Sequence, residues 1–297
     1  MSKLVLAAAG GLFLAAPVLA QESYQSTAIG LGFGQVSLQD EDASGVSLDL
    51  EHGMRSGNLE LDLALGVNQL SDDGDDATHF GVDVTPTYWF TNSFGGGIYL
   101  AKDQIEFNDD FEIDALSYGL EGKVTGNGIT GGLFFGETDL ENAGTMNDVG
   151  LTVQADLSHM FSLWGSHVRS RPDGAGADSD VHSTTIGGSV LMDNGFGTFA
   201  SYQSMSVDGT TGSANVASLG LSYTADLGGQ GVMFSGEYAN ATGNSDFAFA
   251  DGDRLSLGAT ILLGDAQRKR VPANSVASSS LDVHRNGVTS LLGATGF

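Results

Sequence analysis

The chain has 297 residues, with 37 acidic against 11 basic side chains, a formal net charge of -26, 44 glycines, 4 prolines and no cysteine. That balance excludes a nucleic-acid binder, which must neutralise phosphates. The lack of cysteine excludes a disulfide scaffold, a zinc-thiolate centre and a cysteine nucleophile. A hydrophobic content of 41% is too high for bulk disorder. So much glycine with so little charge points instead to small, uncharged residues on a regular β framework.

At the start, Lys3 precedes the apolar run Leu4 to Leu14, and the small residues Val18 and Ala20 precede the polar Gln21-Glu22-Ser23. This is the pattern of a secretory signal peptide over residues 1–20. No later stretch is long and apolar enough for a spanning helix.

Beyond the leader the pattern has period two. Val46, Leu48 and Leu50 alternate with Ser47, Asp49 and Glu51. Leu59, Leu61, Leu63, Leu65 and Val67 alternate with Glu60, Asp62, Ala64 and Gly66. Phe80, Val82, Val84, Pro86, Tyr88 and Phe90 alternate with Gly81, Asp83, Thr85 and Thr87. Later runs starting at Val149, Leu219 and Leu255 repeat the rhythm. Successive strand side chains point to opposite faces, so each run has one apolar face and one polar or tiny face.

Fourteen such runs begin near Thr27, Val46, Asn58, Thr78, Ser93, Phe111, Gly128, Asp148, Leu163, Ser183, Phe196, Val216, Gly231 and Arg254. Their connectors alternate in size. Long polar ones, such as Gln39 to Gly45, Ser71 to Ala77 and Glu137 to Asn147, take turns with short ones, such as Arg55 to Gly57, Thr91-Asn92 and Phe161-Ser162. A soluble sandwich would bury the apolar faces between two sheets. A membrane barrel turns them to lipid and has elaborate loops at one end only. The rhythm predicts the second: an all-β fold, a transmembrane antiparallel meander β-barrel of about 14 strands over residues 21–264, with 12 or 16 as alternatives. Tyr88, Trp89, Phe90 and Phe94, then Phe161 and Trp164, then Phe196 and Phe199 cluster at short turns and predict an interfacial girdle there.

In its leader, its alternating runs from Thr27 to Leu263 and its long/short loop rhythm, the chain resembles the porin-like β-barrel proteins of the Gram-negative bacterial outer membrane. The resemblance implies insertion in that membrane after leader cleavage. Lipid and lipopolysaccharide would be neighbours, small hydrophilic solutes or cations would pass through a watered lumen, and neither chemistry nor cofactor would be involved. It leaves open a trimer or a monomer. Ser170 to His182 and Ala239 to Asp253 are, on length, the loops that would constrict such a lumen. One departure is the tail, residues 265–297, with Arg268, Lys269, Arg270 and Arg285 against Asp265 and Asp282. This polar, basic segment is expected either in the periplasm or as a plug meeting an acidic lumen, and further strands are the remaining alternative.

Residues 21 to 264 carry a net charge of -29. Some carboxylates cluster in loops. Asp72, Asp73, Asp75 and Asp76 around Gly74 invite a divalent cation, but they lack the spacing of a calcium loop and read better as a solvated surface. Others share the polar strand faces. Asp49, Glu51, Glu60, Asp62, Asp83, Glu112, Asp114, Asp156 and Glu237 are the candidate pore-lining residues, with Lys123 and Arg169 as the chief bases among them. The hairpin at Arg55 to Gly57 brings Asp49 and Glu51 beside Glu60 and Asp62. Like charges placed together need water, a cation or a base. An acidic wall builds cation preference, unless the strip merely solvates the lumen. The opposing functional reading is a non-conducting barrel acting as structural anchor, adhesin or receptor through acidic external loops. The sequence has no His-Glu-x-x-His, no Gly-x-Ser-x-Gly and no phosphate-loop motif, and His159 with His167 near a turn is the nearest approach to a catalytic pair.

Overall fold

The structure, a computed structural model, describes residues 23–38, 41–72, 76–107, 111–141, 143–174, 179–244, 251–265, 271–279, 285–287 and 289. The expected leader, Asp73, Asp75 and the Arg268-Lys269-Arg270 cluster lie outside them.

The alternating runs become fourteen strands: β1 (Tyr24–Leu38), β2 (Glu41–Ser56), β3 (Leu59–Ser71), β4 (Asp76–Trp89), β5 (Phe94–Phe107), β6 (Phe111–Gly126), β7 (Ile129–Leu140), β8 (Gly144–Asp156), β9 (Phe161–Pro172), β10 (Val181–Leu191), β11 (Phe196–Val207), β12 (Ser213–Asp226), β13 (Gly231–Gly243) and β14 (Gly252–Gly264). Each pairs antiparallel with its chain neighbours, and β1 pairs with β14, so the sheet closes into a barrel with no free edge. The β6–β7 hairpin shows how sequence sets register. Asn127 (φ 53°) and Gly128 (φ 76°) occupy the two positive-φ positions of a tight turn, the geometry whose twist matches the strands it joins. In β4 the ladder to β5 is interrupted at Thr85 and Pro86, where proline has no N–H to donate.

The strands run 11 to 16 residues, beyond the roughly 9–11 that a tilted span needs. The surplus lies at the long-loop end, where β2, β8 and β12 begin earlier than hydrophobic alternation alone marks. Pairing continues into water there because backbone bonds do not require apolar side chains. Of the two loops expected to constrict the lumen, Ser170 to Pro172, Val181-His182, Ala239 to Gly243 and Gly252-Asp253 are therefore strand, and residues 175–178 and 245–250 lie outside the described ones.

Parity is strict. Leu31, Phe33, Val46, Leu48, Ile98, Leu133, Leu151, Leu221, Leu257 and Ile261 point outward and are exposed. They form a continuous apolar belt, the signature of a lipid-facing barrel wall. Rings border the belt at both ends. Phe90 stacks on Phe94 and meets Tyr88 edge-on at the short-turn end, where Phe196 and Tyr223 also pack together. Toward the other end the outward Tyr118, Tyr202 and Tyr238 donate to Glu137, Asn215 and Asp253. The girdle expected at the short turns is only partly formed, because Trp89, Trp164 and Phe199 sit on the opposite parity and are buried inside. Trp164 and Phe199 lie over the cross-strand glycines Gly187 and Gly220, where a Cβ would overlap their rings.

The core of the molecule is inside the barrel. Beyond β14 the chain turns at Gly264 (φ 63°), and its described tail residues run through the lumen, among them a helical turn, α1 (Val276–Ser279). Ala273 packs with Ala28, Met233 and Leu262. Val271 and Ala277 pack with Trp164 and Phe199, and Val276 with Val216 and Ala239. Burying these apolar groups favours the tail's position at roughly 25 cal/mol per Å² removed from water.

Candidate functional site: the barrel lumen

The register staggers the acidic strip. In β2 and β3, Asp49 lies opposite Gly66, Glu51 opposite Ala64, Asp62 opposite Gly53 and Glu60 opposite Arg55. Asp83 in β4 lies opposite Ala64. Each carboxylate thus faces a small residue or a base across the ladder, and the like-charge pairs expected from the hairpin do not form. All five project inward, as do Asp156 and Glu237.

Partners complete the compensation. Lys123 reaches from β6 over the glycines of β5 to Asp62 (2.8 Å) and Glu60 (3.3 Å). Glu60 also accepts a hydrogen bond from Trp89 Nε1 (3.0 Å). Arg55 stacks on the Trp89 ring at 4.6 Å. The tail supplies the rest. Arg285 donates to Asp83 (3.2 Å), Thr85 (2.8 Å) and Glu121 (3.3 Å), with its guanidinium 4.4 Å from the Tyr99 ring centre. Burial opposes the charge of Arg285, but Asp83 and Glu121 more than offset this and hold its pKa above the ordinary arginine value. Glu237 accepts the N–H groups of Val276 (2.8 Å) and Ala277 (3.2 Å), and Ser278 donates to Glu51 (2.9 Å). Asp156 accepts from Ser162.

Three assignments are corrected. Glu112 and Asp114 do not line the lumen. They share the parity of Leu116, Leu120 and Val124 on β6 and project from the outer surface toward the long-loop end. There Asp114 pairs with Lys102 (2.8 Å) and Glu112 accepts from Gln104 (2.6 Å). Above the apolar belt the outer face meets water and tolerates charge, so polarity alone did not mark the inner face. Arg169 likewise faces outward. With Arg171 it grips Asp180, and Arg171 foremost holds that carboxylate down to about 2. Asp180, His182 and Asp208 come close enough to share a cation, but the two guanidiniums already occupy Asp180. Finally, His159 and His167 do not meet. His159 stands 3.5 Å from Asp193 at a short turn, and His167 stacks on His182 on the outer face.

Pattern reading missed the inward bases Arg55 and Arg254 and the buried acid Asp148, whereas Glu121, whose alternation puts it on the polar face of β6, is buried there. Asp148 follows from strand parity once β8 is fixed. Between the tail and the short-turn end remains a cavity of about 1120 Å³, lined by Glu51, Asp62, Asp83, Glu121, Lys123, Gln154, Asp156 and Arg285 among others. Carboxylates outnumber bases along this wall.

No known protein-family model matches the chain, and no curated protein matches it in sequence. Its fold does recur among solved structures. An anion-selective porin from Comamonas acidovorans is similar with a TM-score of 0.52 at 10% identity, over 82% of this chain and 99% of that one. The outer membrane protein OprD from Pseudomonas aeruginosa gives 0.48 at 12% identity, over 84% of this chain and 96% of its own. A loop-deletion mutant of OmpT, an outer membrane protein of Vibrio cholerae, gives 0.48 at 10% identity, over 82% and 100%. The chain thus has the fold of an outer-membrane porin barrel.

Proposed function

We propose that this protein is an outer-membrane pore through which small hydrophilic solutes diffuse without chemistry, with cations preferred. The observation that carries the reading is the inside-out polarity of the closed barrel: an apolar belt outside and a charged cavity within. Lipid can cover the first and only water or a solute fills the second. Cation preference is supported by the surplus of luminal carboxylates, since rings of acidic side chains favour cations. Single-channel recording of the purified mature chain in planar bilayers tests it. A reversal potential on the cation side under a salt gradient is expected. Converting Glu51, Asp62, Asp83 and Asp156 to their amides is expected to move that potential toward zero. An unmoved potential would show that the acidic wall only solvates the lumen.

The tail inside the lumen favours a second reading, a non-conducting barrel whose role lies in its external surface. A barrel verified as inserted, yet silent with and without its tail, would establish that reading.

A further inference from the structure

We propose that the described tail residues 271–279, 285–287 and 289 form an autoinhibitory plug, seated in the lumen through Asn274 and latched there by Arg285, and that this plug must leave its seat for the pore to conduct fully. The proposal rests on the pore reading above.

Three features of the wall fit this segment. The first is a seat cleared of side chains. Asn274 lies over Gly30 and Gly32 of β1 and Gly258 of β14. A Cβ on Gly32 would come within 2.9 Å of its Nδ2, and one on Gly258 would overlap its amide. Its carboxamide oxygen accepts from Thr260 (3.3 Å), whose hydroxyl in turn receives the Ala273 N–H (3.2 Å). The second is a buried carboxylate, Glu237, 3% exposed, that takes the backbone N–H groups opening α1. The third is the Arg285 latch between Asp83 and Glu121. It is followed by Asn286 donating to Ser117 (2.9 Å) and the Gly287 N–H donating to Ser170 (2.8 Å). Contacts therefore reach strands from β1 to β14 around the wall, so the tail lies across the path a solute would take. Most of these contacts are polar. Water and ions can replace polar contacts at small net cost, since an intramolecular hydrogen bond contributes only about 0.5–1.5 kcal/mol net.

The tail joins β14 at the short-turn end, where the Gln25 N–H donates to Asp265 (3.1 Å). The space beneath the latch is the cavity already described. Withdrawal is directed that way, toward the tether.

The test uses the full mature chain with Gly30→Cys and Ala273→Cys. A Cβ at position 30 stands 3.0 Å from that of Ala273, about half an ångström short of the disulfide range of about 3.5–4.5 Å, and the chain has no other cysteine to compete. With the bridge verified by mass, oxidised protein is expected to show at most half the mean current of the same protein after reduction, and each single variant should ignore the oxidant. A second variant ending at Gly264 is expected to at least double the unitary conductance of the full chain. Equal currents before and after reduction overturn the plug, as does equal conductance with and without the tail, and either result leaves the pore standing. An inserted, silent barrel without its tail removes the pore reading and the plug with it.

Discussion

Arginine in place of Leu257 is expected to destabilise the folded barrel by about 2–4 kcal/mol, the cost of a cation on a barrel's lipid face near the bilayer midplane. Leu257 sits near the middle of β14, outward and 65% exposed, beside Phe33 of β1. Most of its side chain meets what surrounds the barrel. In water such a change is close to neutral, because an exposed leucine loses little when replaced by a long polar side chain. The contrast with a luminal position makes the test specific. Gln154 lines the cavity, and Gln154→Arg at that watered site is expected to cost well under half as much. Urea titration of folding into phospholipid vesicles measures both, and the band shift between boiled and unboiled samples reports the folded fraction. Two equal and small effects would mean that no hydrocarbon touches the outer belt.

The second large effect is expected at Lys123. Its side chain is 14% exposed and holds Glu60, itself 9% exposed, together with Asp62. Removing one partner of a buried ion pair strands the others and costs roughly 3–5 kcal/mol. Asp62 is 41% exposed, which screens its share and puts Lys123→Met near the lower end. Adding Glu60→Gln and Asp62→Asn in the same chain is expected to recover most of the loss, because no charge is then left unpaired. The single variant should also strengthen cation preference, since it removes a positive charge from the wall. Chemical denaturation and reversal potentials read the two consequences separately. A neutral Lys123→Met would place these carboxylates in bulk water.

The barrel was legible because period-two alternation and turn residues are local signals, repeated in every hairpin. Strand number and pairing order followed from them. Faces were less secure where local signals conflict. Glu112 and Asp114 were assigned by polarity, although Leu116, Leu120 and Val124 on the same strand fix their parity outward. The inward aromatics were visible as breaks in the rhythm: Leu133-Phe134-Phe135 has no polar member, and Phe134 is the one fully buried. Unbroken apolar triplets in a lumen-facing strand signal something inside to pack against. The contacts of the tail were not legible. Arg285 meets Asp83 and Glu121 from a distant part of the chain, and a single arginine between His284 and Asn286 carries no period. Nor did Gly30 and Gly32 announce why they are small. A side chain at Gly30 would meet Ala273 and Asn274, and one at Gly32 would meet Ser47 and Asn274; only the folded lumen brings the tail to them.

The seat of Asn274 straddles the junction of β1 and β14, the first and last staves of the wall. Half of it is synthesised at the beginning of the sheet and half at its end, so neither half can recognise the asparagine until those staves have joined. Occupancy of the seat therefore records completed closure. A chain stalled with its last stave unpaired would leave its tail open to proteases, and trimming of that tail would distinguish finished barrels from abandoned ones.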